Sequence, residues 1–252
     1  MTIADYVDLV QYVTNTHRET TDVSPITYRQ AIEQYGFSIV EGVIGTNQIA
    51  ALKNSLQSAI QRSDAKSYAM RRLLEAIPMV RQLCSEVPIR NLVEPILGKK
   101  AFPVRGIFFD KNPQANWGVS WHQDMTIAVK KRINIPDFKA WSIKDGIHHV
   151  QPPISILERM LTLRIHLDNT FADNAPLQVI PNSHKRGSLK PEIIQSLKVN
   201  TLTCPVSDGG VLAMRPLLVH ASQPARNPRH RRVIHIEFVA EELPDGLEWY
   251  GS

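Results

Sequence analysis

At 252 residues the chain sits at the upper end of what one hydrophobic core organises, and its 43% hydrophobic and 21% charged residues exclude a disordered or fibrous class. No apolar run approaches the ~20 residues of a membrane helix, and the first residues carry Asp5, Asp8 and Glu19 without a basic stretch leading into an apolar one, so neither a membrane protein nor a secretory signal is expected. The formal charge of +5 is scattered except at Lys130–Arg132 and Arg226–Arg232, with no interleaved aromatics, which argues against a nucleic-acid partner and leaves a small molecule in a cytoplasmic protein as the expectation.

Taken in chain order, Thr27–Tyr35 predicts a short helix closed by Gly36, and Phe37–Val40 a short strand. After Gly45, Thr46 reads as the N-cap of a helix to about Arg62, with Ile49, Leu52, Leu56 and Ile60 on one stripe. Further helices are expected over 67–76 and 89–97, so that residues 1–100 are mainly helical. From about Phe102 the texture changes to short β runs divided by Pro, Gly and Asn: 104–110, 120–123, 160–167, 177–180, 211–214, 217–220 and 233–239. Leu161, Leu163, Ile165 and Leu167 alternate with Thr162, Arg164, His166 and Asp168, which predicts one packed face and one polar face. Many short strands with frequent turns favour a sandwich, jelly roll or barrel over a parallel α/β sheet. The expectation is one domain over 1–252, mainly β with flanking α-helices, its core over 101–240. Residues 130–155, with Pro136, Gly146 and Pro152-Pro153, read as an inserted loop of the kind that forms lids. Cys84 and Cys204, far apart and without CxxC spacing, are expected as reduced core residues.

The chemistry concentrates in Trp121-His122-Gln123-Asp124, where an imidazole and a carboxylate stand two apart at a strand end and so on one side of it. An isolated HxD is common by chance. His220, closing the run Leu217-Leu218-Val219-His220, supplies the third ligand of a two-histidine, one-carboxylate set, which leaves open positions on non-haem Fe(II). Arg231 or Arg232, on the following run, can grip a carboxylate in bidentate fashion, and because strand neighbours face opposite sides only one of them can point inward.

These residues, together with Asp173-Asn174-Ala175-Pro176-Leu177-Gln178-Val179-Ile180-Pro181-Asn182-Ser183-His184, His220-Ala221-Ser222, Arg231-Arg232-Val233 and the earlier segment Tyr35–Val43, make the chain resemble the phytanoyl-CoA dioxygenase-like branch of the 2-oxoglutarate oxygenases over most of its length. The resemblance implies a double-stranded β-helix, a jelly-roll or cupin-like core. It implies His122, Asp124 and His220 as iron ligands, Arg231 rather than Arg232 on the distal carboxylate of 2-oxoglutarate, and Ser222 hydrogen-bonded to the same group. It also implies an Fe(II)- and 2-oxoglutarate-dependent dioxygenase using O2, with decarboxylation to succinate. Relatives that halogenate carry a small residue in place of the carboxylate, so Asp124 favours hydroxylation. Ala175 and Asn182 depart from the pattern, standing where the family usually has Gly, and Arg164 falls where some relatives place an aromatic.

Substrate contacts are expected from Lys111, Asn116, Trp117, Trp121 and Arg164, and from Trp141, Lys144, His148 and Gln151 in the insertion, a mixture suited to a small polar metabolite such as an amino acid or a biosynthetic intermediate. His166, His184, His230 and His235 are expected to support the site or the surface rather than bind metal. The competing readings are a non-catalytic jelly roll that binds a metal or ligand and a divalent-metal hydrolase or isomerase of cupin type. Arg231 argues against both, and the sequence sets no oligomeric state.

Overall fold

The computed structural model describes residues 27–62 and 68–251; the expectation about residues 1–19, and the start of the helix expected over 67–76, lie outside them. In α1 (Tyr28–Tyr35) the Thr27 side chain accepts from the Gln30 amide while the Gln30 side chain caps Thr27, a reciprocal capping box. Gly36 closes the helix at φ 86°, and a Cβ there would lie 2.4 Å from Nδ1 of His184, whose ring fills that space. After β1 (Phe37–Val40), α2 (Thr46–Arg62) buries Ile49, Leu52, Leu56 and Ala59, with Thr46 its first helical residue rather than its cap. The helix expected over 67–76 is instead β2 (Ala69–Met70) followed by α3 (Leu73–Ala76). Pro78 and Pro88 sit in the first turns of α4 (Pro78–Leu83) and α5 (Val87–Leu97), where a missing amide hydrogen costs nothing.

The remaining elements are β3 (Phe102–Lys111), β4 (Val119–His122), β5 (Ile127–Val129), β6 (Lys139–Lys144), β7 (Ile147–Gln151), α6 (Ile154–Glu158), β8 (Leu161–His166), β9 (Leu177–Ile180), α7 (Pro191–Leu197), β10 (Leu202–Cys204), β11 (Val211–Met214), β12 (Val219–Ser222) and β13 (Arg231–Val239). A six-stranded sheet of order β1-β11-β8-β13-β3-β2 and a four-stranded sheet of order β10-β9-β12-β4 form the expected jelly roll, with antiparallel pairing throughout. The outer face of the large sheet, Leu161, Leu163, Ile165, Val211, Ala213, Ile234, Ile236 and Phe238, packs in one cluster with Ile49, Leu52, Leu56, Leu73, Val80 and Ile89 of the helices. Between the sheets, Phe37, Ile39, Leu212 and Met214 meet Leu177 and Val179 in a second apolar cluster at one end. At the other end charged and polar residues such as Arg105, Lys111, Arg164 and His235 stand among apolar ones such as Ile107 and Phe109, and there the cavity lies. β8 accordingly has no solvated face: Thr162, Arg164 and His166 are as buried as the leucines between them.

The segment expected as an inserted loop is ordered structure. β6 and β7 form a hairpin around Asp145-Gly146, with φ of 52° and 76°, the left-handed pair that a two-residue turn requires, and β5 pairs to β7 to complete a third sheet. β6 is exposed along nearly its whole length, so it lacks the alternation that marks a half-buried strand. The hairpin is anchored from below by Ile127, Val129, Phe138 and Val150 against Trp249. Both cysteines are free and buried, and burial pushes each thiol up to about 12.

Candidate active site

Antiparallel pairing of β4 with β12 sets His122 directly opposite His220, and a register shift between His220 and Ser222 follows at once. Opposed residues of neighbouring strands project to the same side, which brings the imidazole centroids to 4.2 Å. The Nδ1 atom of His122 lies 2.7 Å from the Ser120 carbonyl and that of His220 lies 2.8 Å from the Leu218 carbonyl. A carbonyl only accepts, so Nδ1 carries the proton in both rings and the Nε2 lone pairs are left for a ligand. Those Nε2 atoms lie 3.7 Å from Oδ1 and Oδ2 of Asp124 respectively. Asp124 stands just beyond β4, its amide held by the Pro216 carbonyl at 2.9 Å. Between the two ligand candidates, Gln123 turns the other way: its Nε2 donates to the carbonyls of Gly187 and Leu217, at 2.8 and 2.7 Å, and its Oε1 accepts from the Leu189 amide at 2.8 Å. One glutamine thus ties the strand end to two loops and fixes the direction in which His122 and Asp124 point.

His122, Asp124 and His220 form a group whose ligand atoms all lie within 4.8 Å of one another. Asp124 Oδ2 is buried without a hydrogen-bond partner, an orphan acceptor that a cation would satisfy. Burial pushes its carboxyl up, but the charges of His220, His122 and His235 and the contact with His122 outweigh that and hold it well below the usual carboxylate range. Burial lowers His220 to about 4, against the pull of Asp124, so that ring is neutral near pH 7 with its lone pair available. Burial also acts downward on His122, but its contact with Asp124 raises it overall. Two neutral-capable imidazoles and one carboxylate with open space beside them suit Fe(II).

The cavity, about 540 Å³, extends from these residues along the inward face of β3, β8 and β13. Arg231 opens β13 opposite Lys111. It is buried, donates to the Ala175 carbonyl and to Ser222 Oγ, the latter at 3.1 Å, and leaves its Nε without a partner. Lys111 Nζ donates to Ser222 Oγ and to the Gln223 carbonyl, both at 2.8 Å. Ser222 is therefore a hub: its oxygen accepts from both cations and its single proton goes to the Ala175 carbonyl at 3.2 Å. Arg164 donates to His235 Nδ1 at 3.2 Å, and its buried Nε has no partner. None of these three cations has an acidic partner among the described residues. Burial lowers Lys111 to about 7, helped by Arg231 and Arg164. It lowers Arg231 to about 9, with Arg164 adding and Asp110 opposing, and Arg164 to about 10, with Asp124 opposing. A guanidinium stays charged near neutrality, so the depressions mark buried positive charge without a counterion, and a dicarboxylate would supply one.

Arg232, the direct competitor in the sequence, faces the other way and makes a bidentate pair with Asp168, at 2.7 and 2.8 Å. The two departures from glycine both fall at left-handed backbone: Ala175 at φ 53° and Asn182 at φ 66°. Asn tolerates that region, whereas Ala there is strained. The strained residue is the one whose carbonyl holds Arg231 and Ser222.

A family model for phytanoyl-CoA dioxygenase (PhyH) matches residues 32–233. The chain belongs to that family. Ectoine dioxygenase of Sphingopyxis alaskensis is 21% identical over 184 residues, covering 67% of this chain and 53% of its own length, so the chain spans about half of that curated relative. The fold matches a crystal structure of AviO1 from Streptomyces viridochromogenes at a TM-score of 0.60, with 21% identity over 88% of this chain and 99% of that one. It also matches EctD from S. alaskensis with 2-oxoglutarate and 5-hydroxyectoine at a TM-score of 0.65, with 21% identity over 89% and 79%.

Of the residues expected at the PhyH-family site, His122, Asp124, His220, Ser222, Arg231, Lys111, Trp117 and Arg164 all line the one cavity. Trp117 stacks near Lys111, 5.6 Å from its Nζ. Five substrate candidates stand elsewhere, among them Gln151, opposite Lys139 in the third sheet. Asn116 is engaged in a two-bond clasp with the backbone of Ala225, at 2.9 and 2.7 Å. Trp121 lines a neighbouring cleft with Ile194 and Leu189. Trp141 packs on the third sheet and under Arg132, and His148 pairs within that sheet, between Ile143 and Val129. Arg71, Arg105, Lys144, His235 and Glu237 also line the cavity, beside apolar residues such as Ile107 and Phe109. Of these, Arg71, Arg105 and Glu237 were not singled out by the sequence reading. A signal existed in Arg231, His235 and Glu237, charged or polar side chains sharing one face of a strand whose other face carries Ile234, Ile236 and Phe238. Among the described residues no helix is long and apolar enough to cross a membrane.

Proposed function

We propose that the protein is an Fe(II)- and 2-oxoglutarate-dependent dioxygenase that hydroxylates a small polar metabolite. The observation that carries this reading is the convergence of two backbone-oriented imidazole Nε2 atoms on a carboxylate with an orphan oxygen, in a cavity that also holds unpaired Arg231. His122, Asp124 and His220 would hold iron on one face, and Arg231 would hold the distal carboxylate of 2-oxoglutarate. Together with O2, the metal and co-substrate supply the oxidation of a substrate C–H bond, with 2-oxoglutarate leaving as succinate and CO2.

The chain's own contribution is placement and charge. The carbonyls of Ser120 and Leu218 fix both imidazoles in the tautomer that presents Nε2. Ser222 acts on the co-substrate through its two neighbours, since its proton is directed at Ala175 and its oxygen orients Lys111 and Arg231. Lys111 and Arg164, both buried, add positive potential that would help neutralise a bound dianion. The likeness to ectoine dioxygenase supports a small-molecule substrate for this chain.

The test is anaerobic titration of metal-free protein with Fe(II) and then 2-oxoglutarate, following the weak visible charge-transfer band of the chelate. Wild type should show the band, His122→Ala should lose it, and Arg231→Ala should require at least about tenfold more 2-oxoglutarate, the worth of one bidentate grip. An iron-loaded wild type without the band would refute the oxygenase reading in favour of a metal-dependent hydrolase or a binding protein.

A further inference from the structure

The cavity has a second cationic end that the co-substrate does not use. Register places the first at Arg231 opposite Lys111 and the second at Glu237 opposite Arg105, at the far end of the same inward face. From Arg231 to Glu237 the strand runs roughly 20 Å at the usual rise per residue, further than one five-carbon dicarboxylate spans. Arg105 reaches Glu237 at 2.9 Å. Arg71, from the turn after β2, pairs with the exposed Asp145 at 2.8 Å. Lys144, at the end of β6 beside the Asp145-Gly146 turn, lines the cavity with no acidic partner among the described residues. Its ammonium is lowered by burial and by the nearby charges of Arg105 and Arg71, with Asp124 opposing, so the three cations and the triad share one electrostatic space. Glu237 is itself occupied, by Arg105 and by His235 Nε2 at 3.4 Å, and cannot neutralise Lys144 as well.

We propose that the substrate carries an anionic oxygen group, a carboxylate or a phosphate, which docks on Lys144 with Arg71 and Arg105 and so places the carbon to be oxidised between that anchor and His122 and Asp124. This rests on the oxygenase reading for what happens at the triad, but the anion site itself stands on the cavity's own geometry. The hairpin β6–β7 is then a specificity element: it carries Lys144, which lines the cavity and has no acidic partner among the described residues, beside the Asp145-Gly146 turn. An uncharged or cationic substrate would leave Lys144 without an anionic partner beside two arginines already engaged by Asp145 and Glu237.

The probes are methyl phosphate and acetate, each titrated calorimetrically into full-length protein loaded with Ni(II) and saturating 2-oxoglutarate. The expected result is saturable binding of at least one probe alongside 2-oxoglutarate, weakened about tenfold or more in Lys144→Ala and recovered in Lys144→Arg, with 2-oxoglutarate affinity within about twofold of wild type throughout. Tighter binding of methyl phosphate identifies a phosphate ester, and equal or tighter binding of acetate identifies a carboxylate. No saturable binding of either probe, binding indifferent to Lys144→Ala, or simple displacement of 2-oxoglutarate by the probe would overturn the proposal. If 2-oxoglutarate itself fails to bind while a probe still binds through Lys144, the anion site stands and the oxygenase reading falls.

Discussion

The two faces of β13 are built from one nine-residue stretch and have opposite physics. Outward, Ile234, Ile236 and Phe238 are fully buried against the helices and belong to the largest apolar cluster. Inward, Arg231, His235 and Glu237 are equally buried, at 3%, 5% and 4% exposure, yet polar or charged. A buried apolar face stabilises by removing area from water and by close packing. A buried charged face costs free energy unless it is paired, so its presence is explained by what it binds rather than by what it holds together. Stability and function are thus separated by side of strand rather than by region of sequence, and single substitutions on the two faces should separate them experimentally.

The largest expected contrast is between His220→Ala and Phe238→Ala. The first removes one of two nitrogen donors and should abolish metal-dependent turnover while leaving the denaturation midpoint of the metal-free protein near wild type. The second should cost about 3–5 kcal/mol of stability, read by denaturant unfolding, with the iron and 2-oxoglutarate titration intact in the folded fraction. A reversal of that pattern would break the division between the faces. Next in size is Arg232→Ala, which removes the bidentate pair to Asp168 on the outer side. It should cost about 1–2 kcal/mol and leave 2-oxoglutarate affinity unchanged, in contrast to its neighbour Arg231.

Acid should weaken the fold through histidines buried in the neutral form away from the metal site. His149 and His184 are lowered by burial to about 4 from an ordinary value near 6.5, and burial with Arg164 and Arg231 lowers His166 further. In this window the unfolded chain binds more protons than the folded one, so stability is complete above about pH 6.5 and falls as pH drops toward about 4. Thermal unfolding of metal-free protein between those limits checks it, and a flat profile would contradict it. The smallest effect is expected at Ala175, where the left-handed backbone disfavours a Cβ. Ala175→Gly should relieve about 1 kcal/mol of strain, partly offset by the greater freedom of glycine in the unfolded chain, and should leave the Arg231 contact in place, as judged by 2-oxoglutarate affinity.

Period-two geometry and the resemblance together made the jelly roll and its metal motif legible, because both are local: His122 and Asp124 share a side by spacing alone, and Leu161, Leu163 and Ile165 mark their strand by alternation. The same alternation showed that only one of Arg231 and Arg232 could point inward, and in the structure Arg231 lines the cavity while Arg232 pairs with Asp168. What places Arg231 there is the pairing of β13 with β3, with Asp168 waiting on the opposite face. The sequence misread the hairpin over 139–151 as a loop because β6 is exposed nearly throughout and shows no periodic burial, although its Asp145-Gly146 turn was present. Asn116, Trp121, Trp141, His148 and Gln151 stand outside the triad's cavity, in surroundings set by loops and sheets that only the folded chain brings together. The cavity's far end, Arg71, Arg105, Lys144 and Glu237, is assembled from three separate stretches of chain and has no local pattern to reveal it. Sequence by itself marked the residues that could hold a metal; the long-range pairing of strands decided which charges share a space, because that proximity is a property of register and packing and leaves no trace in the spacing of residues along the chain.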